Sequence, residues 1–513
     1  MKKLILFFTL FLITVNLLAD NDLLDDLDYY RVYTNYNGSA YNGSSILVYG
    51  EGGVIVRTTD EGGSWKQINL NDEFNITGAV SINGDYFAAT NTDLLLKSTD
   101  NGDSWSEHRL PGNVRSLKLA AYDGRLYCLT DKNVIILSPV PEVQNIIPLD
   151  NVAPGSDLSV NDGYLAYAAG EGKEGKLGIL NLESGELIIK DMLDFDLCNV
   201  CFVPRDIYNT GNMIYFSQNN DLCSYDIDND EAELIFHPVK SGNYAYRNGE
   251  IYELYNVFLP YMNLDSMYFV KINETTKTAT HIKKPGNDRY ISELEFRDVS
   301  FVSDDLIVAA GEDKLIYFSY DGGKTWELKS HFNCSSEYGK IIRFDELNAN
   351  RISNYAKFVK TTDGGTTWLP QKNYNPTFAD DYFGDFLNYG TTFFKNRNVG
   401  FQFRVQKWNT GNDTTFVYTG NGCETVKFRA KTLAGYINSD DFITITGLDT
   451  ILFVFPGILA GNNNYYNYTM INRLNDSMEE INRTVLDSAH VIFMENFGDG
   501  ELYAITVNLK SPR

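Results

Sequence analysis

Thr58-Thr59-Asp60-Glu61-Gly62-Gly63-Ser64-Trp65 is the most informative stretch of the chain, because the chain repeats it. The pattern returns as Ser98-Thr99-Asp100-Asn101-Gly102-Asp103-Ser104-Trp105 and as Ser319-Tyr320-Asp321-Gly322-Gly323-Lys324-Thr325-Trp326. It appears once more as Thr361-Thr362-Asp363-Gly364-Gly365-Thr366-Thr367-Trp368. Each copy reads [ST]-x-D-x-G-x-[ST]-W. An aspartate at the head of a tight turn can accept backbone N–H bonds within it. Gly62, Gly102, Gly323 and Gly365 supply the positive φ that such a turn needs. The hydroxyl residues bond locally. Trp65, Trp105, Trp326 and Trp368 each open the next strand and offer a large apolar face to a neighbour. Asp60, Asp100, Asp321 and Asp363 therefore read as structural acids. The tryptophans are expected to be buried at equivalent positions, away from any ligand.

The text around the motif is strand. Ile46 to Gly50, a turn at Glu51-Gly52-Gly53 and Val54 to Val56 lead into the first copy. Leu306 to Ala310, a turn at Gly311 to Lys314 and Leu315-Ile316 lead into the third. Strand, Gly-containing turn, strand, motif and strand together resemble the Asp box, or bacterial neuraminidase repeat. This repeat occurs in sialidases, xyloglucanases, sortilin-type receptors and photosystem II assembly-factor propellers, and the assembly-factor and sortilin types look most alike to it. The resemblance implies an all-β fold, a β-propeller of four-stranded antiparallel blades with the motif in the outer hairpin.

Motif-free hairpins fill the intervals. They include Leu126–Leu129 with Val134–Leu137, Leu177–Leu180 with Leu187–Ile189, and Leu222–Tyr225 with Leu234–Phe236. Tyr268–Lys271 with Thr280–Ile282 and Thr415–Tyr418 with Thr425–Phe428 continue the series. Short strands at regular spacing with Gly, Asn and Asp turns are an all-β signature. The 14% aromatic content suits them. Asp60 and Asp100 lie 40 residues apart, and Asp321 and Asp363 lie 42 apart, which is one blade. The two pairs are offset by 261 and 263 residues. That offset suggests two similar halves joined near Lys284-Pro285-Gly286-Asn287. The blade number stays open between seven and ten, as does one ring against two. The preferred reading is a single array over 29–513, with a division near 285. Tyr30–Tyr33 is expected to close it by pairing with Leu502–Val507.

The N-terminus reads as a secretory signal peptide over 1–19. Lys2-Lys3 precede the apolar run Leu4 to Val15, and Leu17-Leu18-Ala19 precede Asp20. An acidic linker, 20–28, follows where a membrane anchor would need basic flanks. The chain is thus expected to be secreted or periplasmic, with no stable membrane insertion. Ile451 to Ala460 is of strand length and contains Pro456. The net charge of −25 is set against nucleic acid as a partner.

Chemistry-bearing constellations are few. Asp380-Asp381-Tyr382-Phe383-Gly384-Asp385 is the most suggestive binding loop, since acids alternate with rings that stack on sugars. Sialidases carry a Phe-Arg-Ile-Pro segment before the first repeat, and nothing before Asp60 matches it. Asp226 to Asp230 alternates carboxylates as calcium loops do, but Glu231 and His237 stand where Gly and Glu are required, so it reads as a hairpin turn. Cys198-Asn199-Val200-Cys201 is a lone CxxC, read as a local bridge or as half of a Cys201–Cys223 bridge. No cofactor, no metal and no catalytic set emerges. The expected function is non-enzymatic binding of a protein or glycan ligand on one face of the ring. The alternatives are a glycoside hydrolase of the same superfold and an assembly factor for an envelope complex.

Overall fold

A computed structural model describes residues 34–370 apart from 71–72, 150, 154–155, 172–173, 196–201, 220, 239–241, 260–263, 284–295, 333–339 and 353–357, and thereafter the strand residues between 392 and 508. The described residues are almost wholly strand. None of their helices is long and apolar enough to cross a membrane. The chain divides into two compact units, Met1–Phe332 and Asn333–Arg513.

The first unit holds seven four-stranded antiparallel sheets arranged as the blades of a ring. Blade 1 spans 36–69, blade 2 76–109, blade 3 116–148 and blade 4 158–191. Blade 5 spans 205–236, blade 6 243–281 and blade 7 296–330. Within each blade the strands follow chain order. The first strand of every blade packs against the first strands of both neighbours, so seven inner strands form the wall around the axis.

The middle strands read as unbroken apolar runs, such as Ile46–Gly50 and Leu315–Ser319, because both of their faces are covered. Successive side chains point to opposite faces. Leu47 therefore packs toward blade 2 and Val48 toward blade 7. Seven apolar clusters fill seven gaps between blades. The gap between blades 7 and 1 is filled like the rest, with Val308, Ala310, Ile316 and Phe318 against Tyr36, Val48, Val54 and Val56.

Among the described residues no strand is shared across that closing seam, and polar contacts reinforce it. Arg297 of blade 7 reaches Glu51 at 2.8 Å and Asn37 at 2.9 Å in blade 1, and Glu312 of its own blade at 2.7 Å. The Tyr320 hydroxyl donates to the Glu61 carbonyl at 2.5 Å. The Lys314 amide donates to the Thr34 carbonyl at 2.9 Å. The first and third motif copies thus sit in neighbouring blades.

The second unit contains four-stranded sheets over 340–370, 392–431 and 443–487, and a hairpin over 489–508. Leu502–Asn508 pairs with Ala489–Asn496. Residues 30–33, the join near 285 and the Asp380–Asp385 loop lie outside the described residues. The motif-free hairpins fall where the turn chemistry puts them, and at Asp226 the carboxylate accepts the Asp228 and Asn229 amides to close the turn. Cys223 is buried and free, so the Cys201–Cys223 bridge is not formed. Cys223 faces the apolar gap between blades 4 and 5, which needs no bridge to close.

Candidate functional site

The four motif copies share one hydrogen-bond pattern. Asp60 Oδ1 accepts the Ser64 amide and the Thr58 hydroxyl, both at 2.8 Å, and Oδ2 accepts the Ser64 hydroxyl at 2.7 Å. The Gly62 amide donates to the Thr58 hydroxyl at 2.7 Å. Asp100, Asp321 and Asp363 repeat these contacts with Ser98 and Ser104, Ser319 and Thr325, and Thr361 and Thr367. Hydrogen bonds, first from the Ser64 hydroxyl and then from its amide, hold the Asp60 carboxyl at about 2. Asp100 is held at about 2 in the same way by Ser104. Carboxylates so fully occupied hold turns.

The motif tryptophans are also structural, with one difference from expectation. Trp368 is buried, whereas Trp65, Trp105 and Trp326 are half-buried. Each of those three packs into the gap toward the preceding blade: Trp65 meets Phe318 of blade 7 and Trp326 meets Phe269 of blade 6 edge to face, and Trp105 joins the cluster between blades 1 and 2 beside Tyr86 of its own blade.

Charge chemistry gathers instead on the inner strands, and no motif marks it. Lys118 of blade 3 lies 3.3 Å from Asp157, which precedes the inner strand of blade 4. Asp157 also accepts the Leu158 and Ile207 amides, each at 3.0 Å. Asp298 of blade 7 accepts the Ser39 amide and hydroxyl at 3.0 Å and the Ser300 hydroxyl at 2.9 Å. Asp206 of blade 5 accepts the Ser217 hydroxyl at 2.8 Å. Lys118 keeps 36% of its side-chain surface and Asp157 22%, so solvent reaches the cluster although inner strands enclose it.

Enclosure perturbs these groups. Desolvation, with the Asp157 charge adding to it, pushes Asp206 up to about 6. Desolvation also raises Asp298. The Asp157 carboxylate raises Lys118 against the opposing effect of burial. Between blades 5 and 6, Glu253 is fully buried beside Tyr244, and desolvation pushes it up to about 8. Tyr208 and Tyr246 stack with centroids 4.0 Å apart, and Asp206 acts electrostatically on Tyr246.

These residues lie in five separate blades at unequal intervals, and the shared Asp-[LIV] step at Asp157, Asp206 and Asp298 is too short to stand out in sequence. Asp206 has a φ of +49° at a bulge in its strand. Among the described residues no group of three or more histidine, cysteine or acidic side chains could hold a metal ion.

The family described as "DUF6242 beta propeller domain" matches residues 34–156, which covers blades 1 to 3. No curated protein matches the chain. Among solved structures, "YCF48 bound to D1 peptide" is similar at 15% identity and a TM-score of 0.43, over 56% of this chain and 94% of that one. BamB from Moraxella catarrhalis is similar at 11% identity and a TM-score of 0.37, over 64% and 95%. A chain of the mitotic checkpoint complex is similar at 9% identity and a TM-score of 0.41, over 57% and 88%. The fold of this chain is a β-propeller, similar over its first three blades to the DUF6242 propeller domain.

Proposed function

We propose that this is an exported, non-enzymatic propeller that binds a protein partner at the axis of its seven-bladed ring. The observation that carries the reading is the convergence on the inner strands of charged groups whose partners differ from blade to blade. Scaffold side chains recur from blade to blade, as the [ST]-x-D-x-G-x-[ST]-W hairpins do, and on this reading those hairpins are Asp boxes. At the inner strand an acid stands in three blades, as Asp157-Leu158, Asp206-Ile207 and Asp298-Val299, but its partners differ: Asp157 faces Lys118 and the Ile207 amide, Asp206 faces Ser217, and Asp298 faces Ser39 and Ser300. One ligand meets each blade of a ring differently. Export rests on the leader over 1–19, with the mature chain beginning near Asp20.

A glycoside hydrolase is the second reading, favoured by Asp206 at about 6 beside Asp157 and the Tyr208–Tyr246 stack. Asp157 weighs against it. Both its oxygens are taken by backbone amides and one also faces Lys118, so neither is free to attack a sugar or activate water.

The test has two arms. Folded protein lacking 1–19 is presented to an envelope extract and, separately, to a panel of oligosaccharides. Specific retention of a protein by the folded form alone, with no release of reducing sugar, is the expected result. Sugar release abolished by Asp206→Asn would replace binding with hydrolysis. An N-terminus near Asp20 on the protein recovered from its host checks the export reading.

A further inference from the structure

Six of the seven gaps between blades are tied by a polar contact at an inner strand. The Asn37 side chain of blade 1 donates to the Ile76 carbonyl of blade 2, and the Ser116 amide of blade 3 donates to the Thr92 carbonyl of blade 2. Lys118 meets Asp157 between blades 3 and 4, and Asp157 accepts the Ile207 amide between blades 4 and 5. Asn243 donates to the Phe296 carbonyl between blades 6 and 7, and Asp298 accepts from Ser39 across the closing seam. The gap between blades 5 and 6 differs. Among the described residues no hydrogen bond or ion pair joins the inner strand of either blade, Arg205–Asn209 or Asn243–Arg247, to the other blade. Tyr208 stacks on Tyr246 there instead, with centroids 4.0 Å apart. At the rim the Tyr215 hydroxyl donates to Glu274 at 2.9 Å, and Lys277 pairs with Glu233 at 2.5 Å. Both partners of that ion pair are exposed, so it adds little.

The same gap encloses Glu253, which is wholly buried. Tyr244 and the Gly242 amide, both of its own blade, hydrogen-bond its carboxyl. Among the described residues no lysine, arginine or histidine nitrogen lies within ion-pair distance of it. Asp206, Tyr208 and Tyr215 face it from blade 5, and Tyr244, Tyr246 and Tyr255 from blade 6. Tyr268 and the exposed His281 lie on the outer strands of blade 6. A carboxylate in this place has no counter-ion and has the Asp206 charge against it, so ionising it calls for water. Desolvation raises Tyr215, Tyr244 and Tyr246, which therefore stay neutral, and Asp206, at about 6, is charged by pH 7. Glu253, pushed up to about 8 by burial, is the enclosed group whose charge changes above neutrality.

We propose that the ring parts between blades 5 and 6, away from the seam where the chain closes, and that the Glu253 proton holds this gap shut. The closed gap keeps the proton. In the open gap water reaches the carboxyl and returns it to its ordinary value of about 4.3. The folded value lies above the open one, so closure is complete below about pH 4. The opening constant then rises about tenfold per pH unit up to about pH 8 and levels off beyond it. Parting here separates Tyr208 from Tyr246 and leaves the strand ladders of both blades intact. The proposal stands whether or not the axis binds a partner.

Hydroxyl-radical footprinting of the native tyrosines, read by mass spectrometry at about pH 7 and about pH 8.5, tests this. Tyr215, Tyr244 and Tyr255, each under a tenth exposed, report on the gap between blades 5 and 6. Tyr86, Tyr167 and Tyr225 report on three other gaps. Oxidation of the first set should rise several-fold between the two pH values while the second set stays level. Glu253→Gln cannot ionise and should hold the first set at its low level throughout. No rise in wild type, or an equal rise in both sets, overturns the proposal, and neither result depends on the variant folding. The same rise in folded Glu253→Gln also overturns it, because the response would then belong to another group.

Discussion

A single aspartate in each repeated hairpin gathers an amide and two hydroxyls from residues two and four positions away. Removing it leaves those donors without their acceptor. Asp321→Ala should therefore destabilise the ring by about 1–3 kcal/mol in denaturant unfolding. A fully stable variant would show that the turn does not depend on its acid. The folded-state pKa values of Asp60 and Asp100 are depressed, so their contribution is complete above about pH 4 and fades as the pH falls toward 2. Glu253 has the opposite sign. Its folded value of about 8 exceeds the unfolded value of about 4.3, so the folded state keeps a proton that the unfolded state releases. Stability should fall as the pH rises between those values. Glu253→Gln should flatten that decline and melt above wild type at pH 8. Identical slopes for the two proteins would mean that Glu253 is paired in solution.

At the scale of the element, the hairpin is also a spacer between blades. Gly323 has φ +87°, and a Cβ there would lie 2.2 Å from Phe269 of blade 6. A Cβ would lie 2.9 Å from Leu47 of blade 1 at Gly102 and 3.1 Å from Phe318 of blade 7 at Gly62, looser contacts than at Gly323. The glycine serves the turn and the packing at once. Gly185, in the blade 4 hairpin, has φ +74° with nothing near its missing Cβ. Both positions bear the backbone cost of alanine, about 1 kcal/mol, and only Gly323 adds a clash. Gly323→Ala should thus lower stability clearly more than Gly185→Ala. Equal losses would assign the glycine to the turn alone. The hairpins themselves were legible in the sequence because their contacts span four residues and their turn residues are chemically narrow. Trp65, Trp105 and Trp326 were legible as packing residues but not as half-buried ones, since exposure depends on how the neighbouring blade meets them.

On the scale of the whole molecule, ring closure is the event on which the inner wall depends. Blades 7 and 1 are joined by an apolar cluster and by Arg297, whose guanidinium bridges Glu51, Asn37 and Glu312. Two carboxylates hold one half-buried guanidinium, a stronger arrangement than an isolated surface pair. Arg297→Ala should cost about 1–2 kcal/mol. Hydrogen exchange should rise first in Ile46–Gly50 and Leu315–Ser319, on either side of the seam. A uniform rise around the ring would mean that closure is no weaker than any other gap. Asp298, one residue on, reaches across the same seam to Ser39, so the closing contacts and the axial cluster are parts of one inner wall.

Strands, turns, blade length and the turn-holding acids could be read from the amino-acid order, because each is written in residues a few positions apart. Apolar runs of strand length and a narrow Asp-Gly turn chemistry admit few other structures. Only the tertiary structure decided that blade 7 closes on blade 1, bringing Tyr320 to Glu61 across 259 residues. It also decided that Lys118, Asp157, Asp206 and Asp298 share one axis. Those side chains come from different blades at unequal intervals, and each is ordinary in its own strand. A ring converts distance along the chain into proximity at its centre, and no local pattern in the sequence records which residues will meet there.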